Sequence, residues 1–342
     1  MSDGDPDLAG PDKADVNAWV IRRYRPEDTV AWKALLADSN NSTLFHHLDF
    51  LAYHPPGKYD FRHLVALHRS RIDAVIPGAL SADGVFVSSA GASIGGPAVR
   101  KSVSVEACLH LVEALQRYAK SAGWRGIEVT LPPPIYHDEP DQGIEFALHL
   151  KGFQLVHRSM PLLIPLDRQK GEHYQRLFRQ SQRSYVRACR RKGVVVSEAG
   201  IEGLGAFLEL LAETYARLGS RPTHMPEEIE SLLRRLPTCI RIWSAHLGDT
   251  TIASALMFIL NRNICSTFYL CDRAVYREFH GLTVLLAEAA EVLAERGFRY
   301  LDLGPSASST HFNRGVVGFK ESLGAKGFFR DRWGWNSCAA YQ

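Results

Sequence analysis

The sequence predicts an α/β (α+β) protein with mixed, mainly antiparallel sheets, built as two tandem halves of related design. Three observations carry that expectation. Strand-like runs rich in β-branched and aromatic residues alternate with helical stretches along all 342 residues. Three such runs, Ile240–His246, Thr251–Leu260 and Ile264–Leu270, are joined only by the turns at Gly248-Asp249 and Asn261-Arg262-Asn263, so they should pair antiparallel. Finally, the halves echo one another. Lys120 to Val129 and Glu295 to Leu303 share a helix end, a glycine, an aromatic, an arginine and then a strand. Lys151-Gly152-Phe153 and Lys326-Gly327-Phe328 recur at nearly the same offset. Two generic helix-to-strand connections would look similar.

Composition bounds the class. Hydrophobic residues make up 46% and charged residues 23% of the chain, enough for a large core or two ordinary domains. The formal net charge of +3 is too small to imply a nucleic-acid partner by itself. The six cysteines include no Cys-x-x-Cys pair and no zinc-like spacing, so free thiols in a reducing, cytoplasmic setting are expected, with no metal. No apolar run approaches the roughly 20 residues of a membrane-spanning helix. Residues 1–17 are acidic and rich in Gly and Pro, unlike a signal peptide, and read as a disordered tail. The two halves are placed at 18–168 and 169–336.

In the first half, Trp19–Tyr24 reads as a strand, and a helix follows Pro26 with Trp32, Leu35 and Leu36 on one face. Phe61–His68 and Ile72–Leu80 suggest a hairpin, and Val85–Ser89 a further strand. Ser104–Ala122 has helical spacing at Val105, Leu109, Val112, Leu115 and Tyr118, and Gly123 stops it. Ile127–Leu131, a helix near Asp141–Leu150 and a β-rich run over Gly152–Leu166 complete it. The second half opens with a basic stretch, Tyr174–Lys192, read as one helix. Val194–Ser197, helices at Leu204–Leu218 and Pro226–Leu236, the three strands above, an apolar helix at Leu282–Ala294, and strands at Tyr300–Leu303 and Phe328–Trp335 follow.

Two short stretches carry the functional signal. Tyr300-Leu-Asp-Leu-Gly-Pro-Ser306 reads as a buried strand that Gly304 and Pro305 stop abruptly. Val317-Gly-Phe-Lys-Glu-Ser-Leu-Gly324 reads as a short amphipathic helix carrying Lys320 beside Phe319, where a surface charge on a packed ring is the plain alternative. The second signal is the basic stretch. Arg176, Arg179, Arg183, Arg187 and Arg190 recur every three or four residues, a single stripe if the stretch is helical. Such a stripe is either a solvated face or a phosphate-recognition surface.

A strand ending Asp-Leu-Gly-Pro-Ser, followed by Phe-Lys-x-x-Leu-Gly-Ala-Lys, resembles the FemAB-like branch of the GNAT acyltransferases, which includes peptidoglycan bridge aminoacyltransferases and relatives in antibiotic biosynthesis. The resemblance covers roughly residues 170–335. It implies two GNAT-like halves and an acyl-transfer site at Phe319 and Lys320. It also implies a gap where the strands at Thr267–Leu270 and Tyr300–Leu303 splay apart beside the start of a helix near Gly281. Acyl-CoA enzymes of this kind carry a Gln/Arg-x-x-Gly-x-Gly/Ala loop there. This chain has Arg277-Glu-Phe-His-Gly281-Leu-Thr, with one displaced glycine, and Gly281 reads equally as a simple helix start.

An aminoacyl ester or thioester is already activated, so the site need mainly align an amine and stabilise an oxyanion. Lys320 is the candidate for the oxyanion and Phe319 for shaping the pocket. Asp302 is a possible base, with a turn-capping role as the alternative. Tyr269, Arg277 and Gly281, with Arg183, Arg187 and Arg190, are the candidate donor contacts. The expected reaction is amide formation from aminoacyl-tRNA onto a small-molecule or peptide amine, with no resident cofactor. Acyl-CoA-dependent N-acetylation is one alternative, and RNA binding on a degenerate GNAT scaffold another. No Walker loop or His-Glu-x-x-His occurs.

Overall fold

The computed structural model describes residues 18–166 and 176–337; the expected tail at 1–17, the basic stretch's Tyr174 and Gln175, and Cys338 lie outside them. Up to residue 166 the elements are β1 (Trp19–Arg23), α1 (Thr29–Ala37), α2 (Leu48–Leu51), β2 (Asp60–Phe61), β3 (Leu64–His68), β4 (Arg71–Ile76), β5 (Ala79–Leu80), β6 (Val85–Val87), β7 (Ala98–Val99), α3 (Val105–Ser121), β8 (Gly126–Thr130), α4 (Gly143–Leu150) and β9 (Gln154–Pro165). Then come α5 (Gln180–Arg191), β10 (Val194–Ala199), α6 (Leu204–Leu218), α7 (Pro226–Arg235), β11 (Ile240–Leu247), β12 (Thr250–Ile259) and β13 (Ile264–Asp272). The chain ends with α8 (Gly281–Glu295), β14 (Tyr300–Ser308), β15 (His311–Phe312), α9 (Arg314–Ser322), β16 (Lys326–Gly327) and β17 (Arg330–Asn336). The fold is mixed α/β with mainly antiparallel sheets.

Two compact units result. One holds residues up to Arg158 and takes back the C-terminal strand from Arg330; the other is Ser159–Phe329. In the first unit, β1, β3, β4 and β7 form one antiparallel sheet, while β8 pairs antiparallel with β17 and parallel with β6. Helix α3 crosses this unit's core. Ser104 caps it by accepting from the Ala107 N–H, and Gly123, in the left-handed region at φ +69, ends it. Its buried stripe is Cys108, Leu111, Val112, Leu115 and Tyr118, whereas Val105, at the first turn, is exposed.

In the second unit, β10, β11, β12 and β13 run antiparallel in sequence, as the turn spacing implied, and β14 joins β13 in parallel. A parallel neighbour needs a crossover, and α8 supplies it. Alternation along β12 sends Ala253, Ala255 and Met257 into the core that holds α5, α8 and α9. Alanines 287, 289, 290 and 294 are buried on α8, which lets the helix lie close to the strands.

Three expectations are corrected. The basic stretch is not one helix: α5 begins at Gln180, and Arg179 before it is extended at φ −59, ψ 155. Tertiary contacts set that start, since Phe178 is buried and the Arg179 N–H donates to the Ser322 carbonyl at 2.8 Å. Arg176 and Arg179 therefore leave the stripe, and Arg183, Arg187 and Arg190 remain. Gly304 and Pro305 do not stop β14, which continues to Ser308 through a register shift between Asp302 and Pro305. The second echo is not structural: Gly152 is a left-handed residue just after α4, whereas Gly327 lies in β16, and Gly324 at φ +80 follows α9.

Candidate functional site

Strands β13 and β14 stay paired for only three positions, Ile264 with Tyr300, Cys265 with Leu301 and Ser266 with Asp302. Beyond Asp302 they separate, β13 staying with β12 while β14 turns to β9 and β15. At the fork, side chains take over the backbone's role. The Ser266 hydroxyl donates to Asp302 Oδ2 at 3.0 Å and the Thr267 hydroxyl to the Asp302 carbonyl at 3.3 Å. The Gly304 N–H donates to Asp302 Oδ1 at 2.7 Å. Gly304 sits at φ +73, a backbone state that suits glycine, so the bend just after the fork has a sequence cause.

Lys320 closes the arrangement. Asn313 caps α9 by accepting from the Val316 N–H, and the helix then carries Val317, Lys320 and Leu323 at three-residue spacing on its buried side. The lysine is 4% exposed, and its Nζ donates to the Gly304 carbonyl at 2.8 Å. Burial drives its pKa down from 10.5 to about 8, with the Asp302 carboxylate pulling the other way. A titratable cation poised near neutrality, beside a broken strand pair, is the setting in which an ammonium can act on a developing oxyanion. Phe319 packs at the rim of the same core.

The other candidates divide. Asp302, 4% exposed, is at the fork, bonded to Ser266 and Gly304. Tyr269 also follows the fork on β13, but its hydroxyl accepts from the buried His224 N–H at 3.1 Å and lies 3.0 Å from His224 Nδ1. Arg277 is exposed and ion-paired with Asp272 at 2.8 Å. Gly281 opens α8 so close to β12 that a Cβ there would lie 2.9 Å from the Ala253 Cβ, so close packing alone requires a glycine. On α5, Arg183 is half-buried, Arg187 is exposed and Arg190 pairs with Glu288 at 2.8 Å.

One residue that sequence reasoning missed is His280. It adopts φ +43 ahead of α8 and stacks on Tyr185 of α5, ring centroids 3.6 Å apart. Cys189 donates its thiol to the Phe279 carbonyl, and Thr283 bonds Gln182, so α5 is docked on the start of α8. No local sequence pattern signals this stack, because Tyr185 lies within α5 and His280 in the left-handed turn before α8.

Comparison with known proteins follows this geometry. Residues 176–314 match the family model described as an acetyltransferase (GNAT) domain, a match that contains the fork and stops short of Phe319 and Lys320. That similarity covers less than half of the chain. Over the whole chain, the fold is similar to those of several solved structures. The crystal structure of FemX, 14% identical, covers 90% of this chain and 96% of its own at a TM-score of 0.70. The C-terminal domain of a lysylphosphatidylglycerol synthetase from Agrobacterium fabrum, 12% identical, covers 91% and 92% at 0.59. L-PGS from Bacillus licheniformis, 13% identical, covers 93% and 94% at 0.59. No curated protein matches the sequence. Among the described residues no helix is long and apolar enough to cross a membrane.

Proposed function

We propose that this chain is an amide-forming acyltransferase that moves an aminoacyl group from aminoacyl-tRNA to an amine of a small-molecule or peptide acceptor, in the cytoplasm, in the manner of peptidoglycan or antibiotic biosynthesis enzymes. The observation that carries it is the Lys320 ammonium, buried at the fork of β13 and β14 and bonded to a backbone carbonyl rather than to a carboxylate. An incoming acyl oxygen can replace that carbonyl as the acceptor of its hydrogen bond. The ammonium then stabilises the tetrahedral oxyanion, worth about 3 kcal/mol on the scale of one oxyanion-hole donor. Asp302 holds the bend of β14 and, in this reading, lies near enough to take up the amine proton.

Two features favour tRNA over acyl-CoA. In the turn ahead of α8 the Tyr276 N–H donates to the Arg273 carbonyl and the His280 N–H to the Arg277 carbonyl, so these two amides are not offered to a pyrophosphate. Arg187 and Arg191 are exposed on α5, a fit to a phosphate backbone. Acyl-CoA-dependent N-acetylation is the second reading, favoured by the description of the matched family as acetyltransferase. Purified protein given charged tRNA or acetyl-CoA, each with a panel of amines, separates them. Turnover with charged tRNA that RNase abolishes is the expected result, whereas turnover with acetyl-CoA alone assigns the second. RNA binding with no transfer from either donor would leave a non-catalytic RNA-binding scaffold.

A further inference from the structure

Far along the sequence from the fork, the first unit holds a small, partly open cleft of about 40 Å³ that neither the candidate site nor the family match includes. Its apolar wall is Val99, Val103, Leu131 and Ile144, and its polar rim includes His137, Asp141 and Glu145.

The cleft's donors are already committed. Arg100 is held by Asp38 at 2.6 Å and by Asp73 at 3.0 Å, and Lys101 by Asp138 at 2.8 Å. Asn40 exchanges both amide bonds with the Glu139 backbone, and Asn41 is spent on Pro97, Val99 and Ser39. Acceptors are what remain. His137 is 8% exposed, and its Nδ1 has no hydrogen-bond partner. Backbone bonds to Pro132 and Asp141 hold the ring, and burial lowers its pKa, so the neutral ring presents a bare lone pair. A buried acceptor left unpaired is costly, and a ligand N–H would satisfy it. Asp141 and Glu145 each have one oxygen engaged, by the Gly143 N–H and the Gln142 amide, and their charges remain on the rim.

We propose that this cleft binds a primary ammonium group carried on an apolar body, with His137 Nδ1 accepting one N–H and Asp141 and Glu145 supplying the opposing charge. The site stands independently of the acyl-transfer reading. It is tested on the full chain by titrating hexylammonium, hexanol and hexanoate, following backbone amide signals by NMR. Saturable shifts at Val103, Leu131 and Ile144 with hexylammonium, at least about tenfold weaker with hexanoate and hexanol, are expected. The doubly substituted Asp141→Asn, Glu145→Gln protein should also bind hexylammonium at least about tenfold more weakly, and it keeps an acceptor for the Gly143 N–H. His137→Leu should weaken binding too, and if that variant fails to fold the carboxylate pair decides. Equal binding of the three probes, no saturation by about 10 mM hexylammonium, or an unchanged affinity in the carboxylate variant overturns the proposal.

Discussion

Replacing Lys320 by Met separates a catalytic lysine from a structural one, because the structure sets two opposing stability terms. Holding the folded-state pKa at about 8, against 10.5 in water, costs the charged form about 3 kcal/mol. Methionine, of similar length, carries no such cost. It does lose the bond from Nζ to the Gly304 carbonyl, a charge-assisted bond worth about 1.5–3 kcal/mol. The terms nearly cancel, so Lys320→Met should change the free energy of unfolding by less than about 2 kcal/mol, of either sign. Acyl transfer should nevertheless fall by about a hundredfold, the loss expected when one oxyanion donor is removed. Urea denaturation read by circular dichroism measures the first quantity, and single-turnover transfer per folded molecule the second. A loss of more than about 3 kcal/mol of stability, with transfer by the remaining folded molecules at the wild-type rate, would refute the reasoning. Lys320 would then be a strut for β14.

Four further outcomes follow from the same geometry. Transfer should decline as pH rises through about 8, because the ammonium is then lost. Stability should move the other way: between about 8 and 10.5 the unfolded chain binds the proton and the folded chain does not, so this group's contribution to unfolding free energy rises with pH, and Lys320→Met should lack that rise. Gly281→Ala places a Cβ 2.9 Å from that of Ala253 and should destabilise the protein by about 1–3 kcal/mol, measurable as a lowered Tm. Tyr269→Phe removes the oxygen that the His224 N–H reaches, and should cost about 1–2 kcal/mol in urea while leaving transfer per folded molecule unchanged. A tenfold loss of transfer without loss of stability would instead make Tyr269 a donor contact.

Local rules made much of the second unit legible. The β11–β12–β13 meander was readable because tight turns permit few pairings, and α8 because Leu282–Ala294 is strongly apolar. Gly123 and Gly297 were visible as helix ends, and both sit in the left-handed region that such ends require. What failed depended on distant partners. Nothing near Gly304 in the sequence tells that Lys320 on α9 bonds the Gly304 carbonyl where β14 runs on through Pro305, a residue with no N–H to give. The arginine period continued smoothly through Arg179, yet burial of Phe178 sets the helix start one residue beyond it. The acceptor cleft of the first unit was illegible because its character comes from which charges are neutralised, a property of contacts between Arg100, Lys101 and acids far from them in the chain.

The most direct measurement is a crystal structure of the chain with a non-hydrolysable aminoacyl-adenosine analogue of a tRNA 3′ end. The analogue's carbonyl oxygen is expected about 2.7–3.1 Å from Lys320 Nζ, in the fork beyond Ser266 and Asp302, with the Gly304 carbonyl released or shared. An analogue bound elsewhere, with Lys320 still held by Gly304, would contradict the assignment of the fork as the site of acyl transfer.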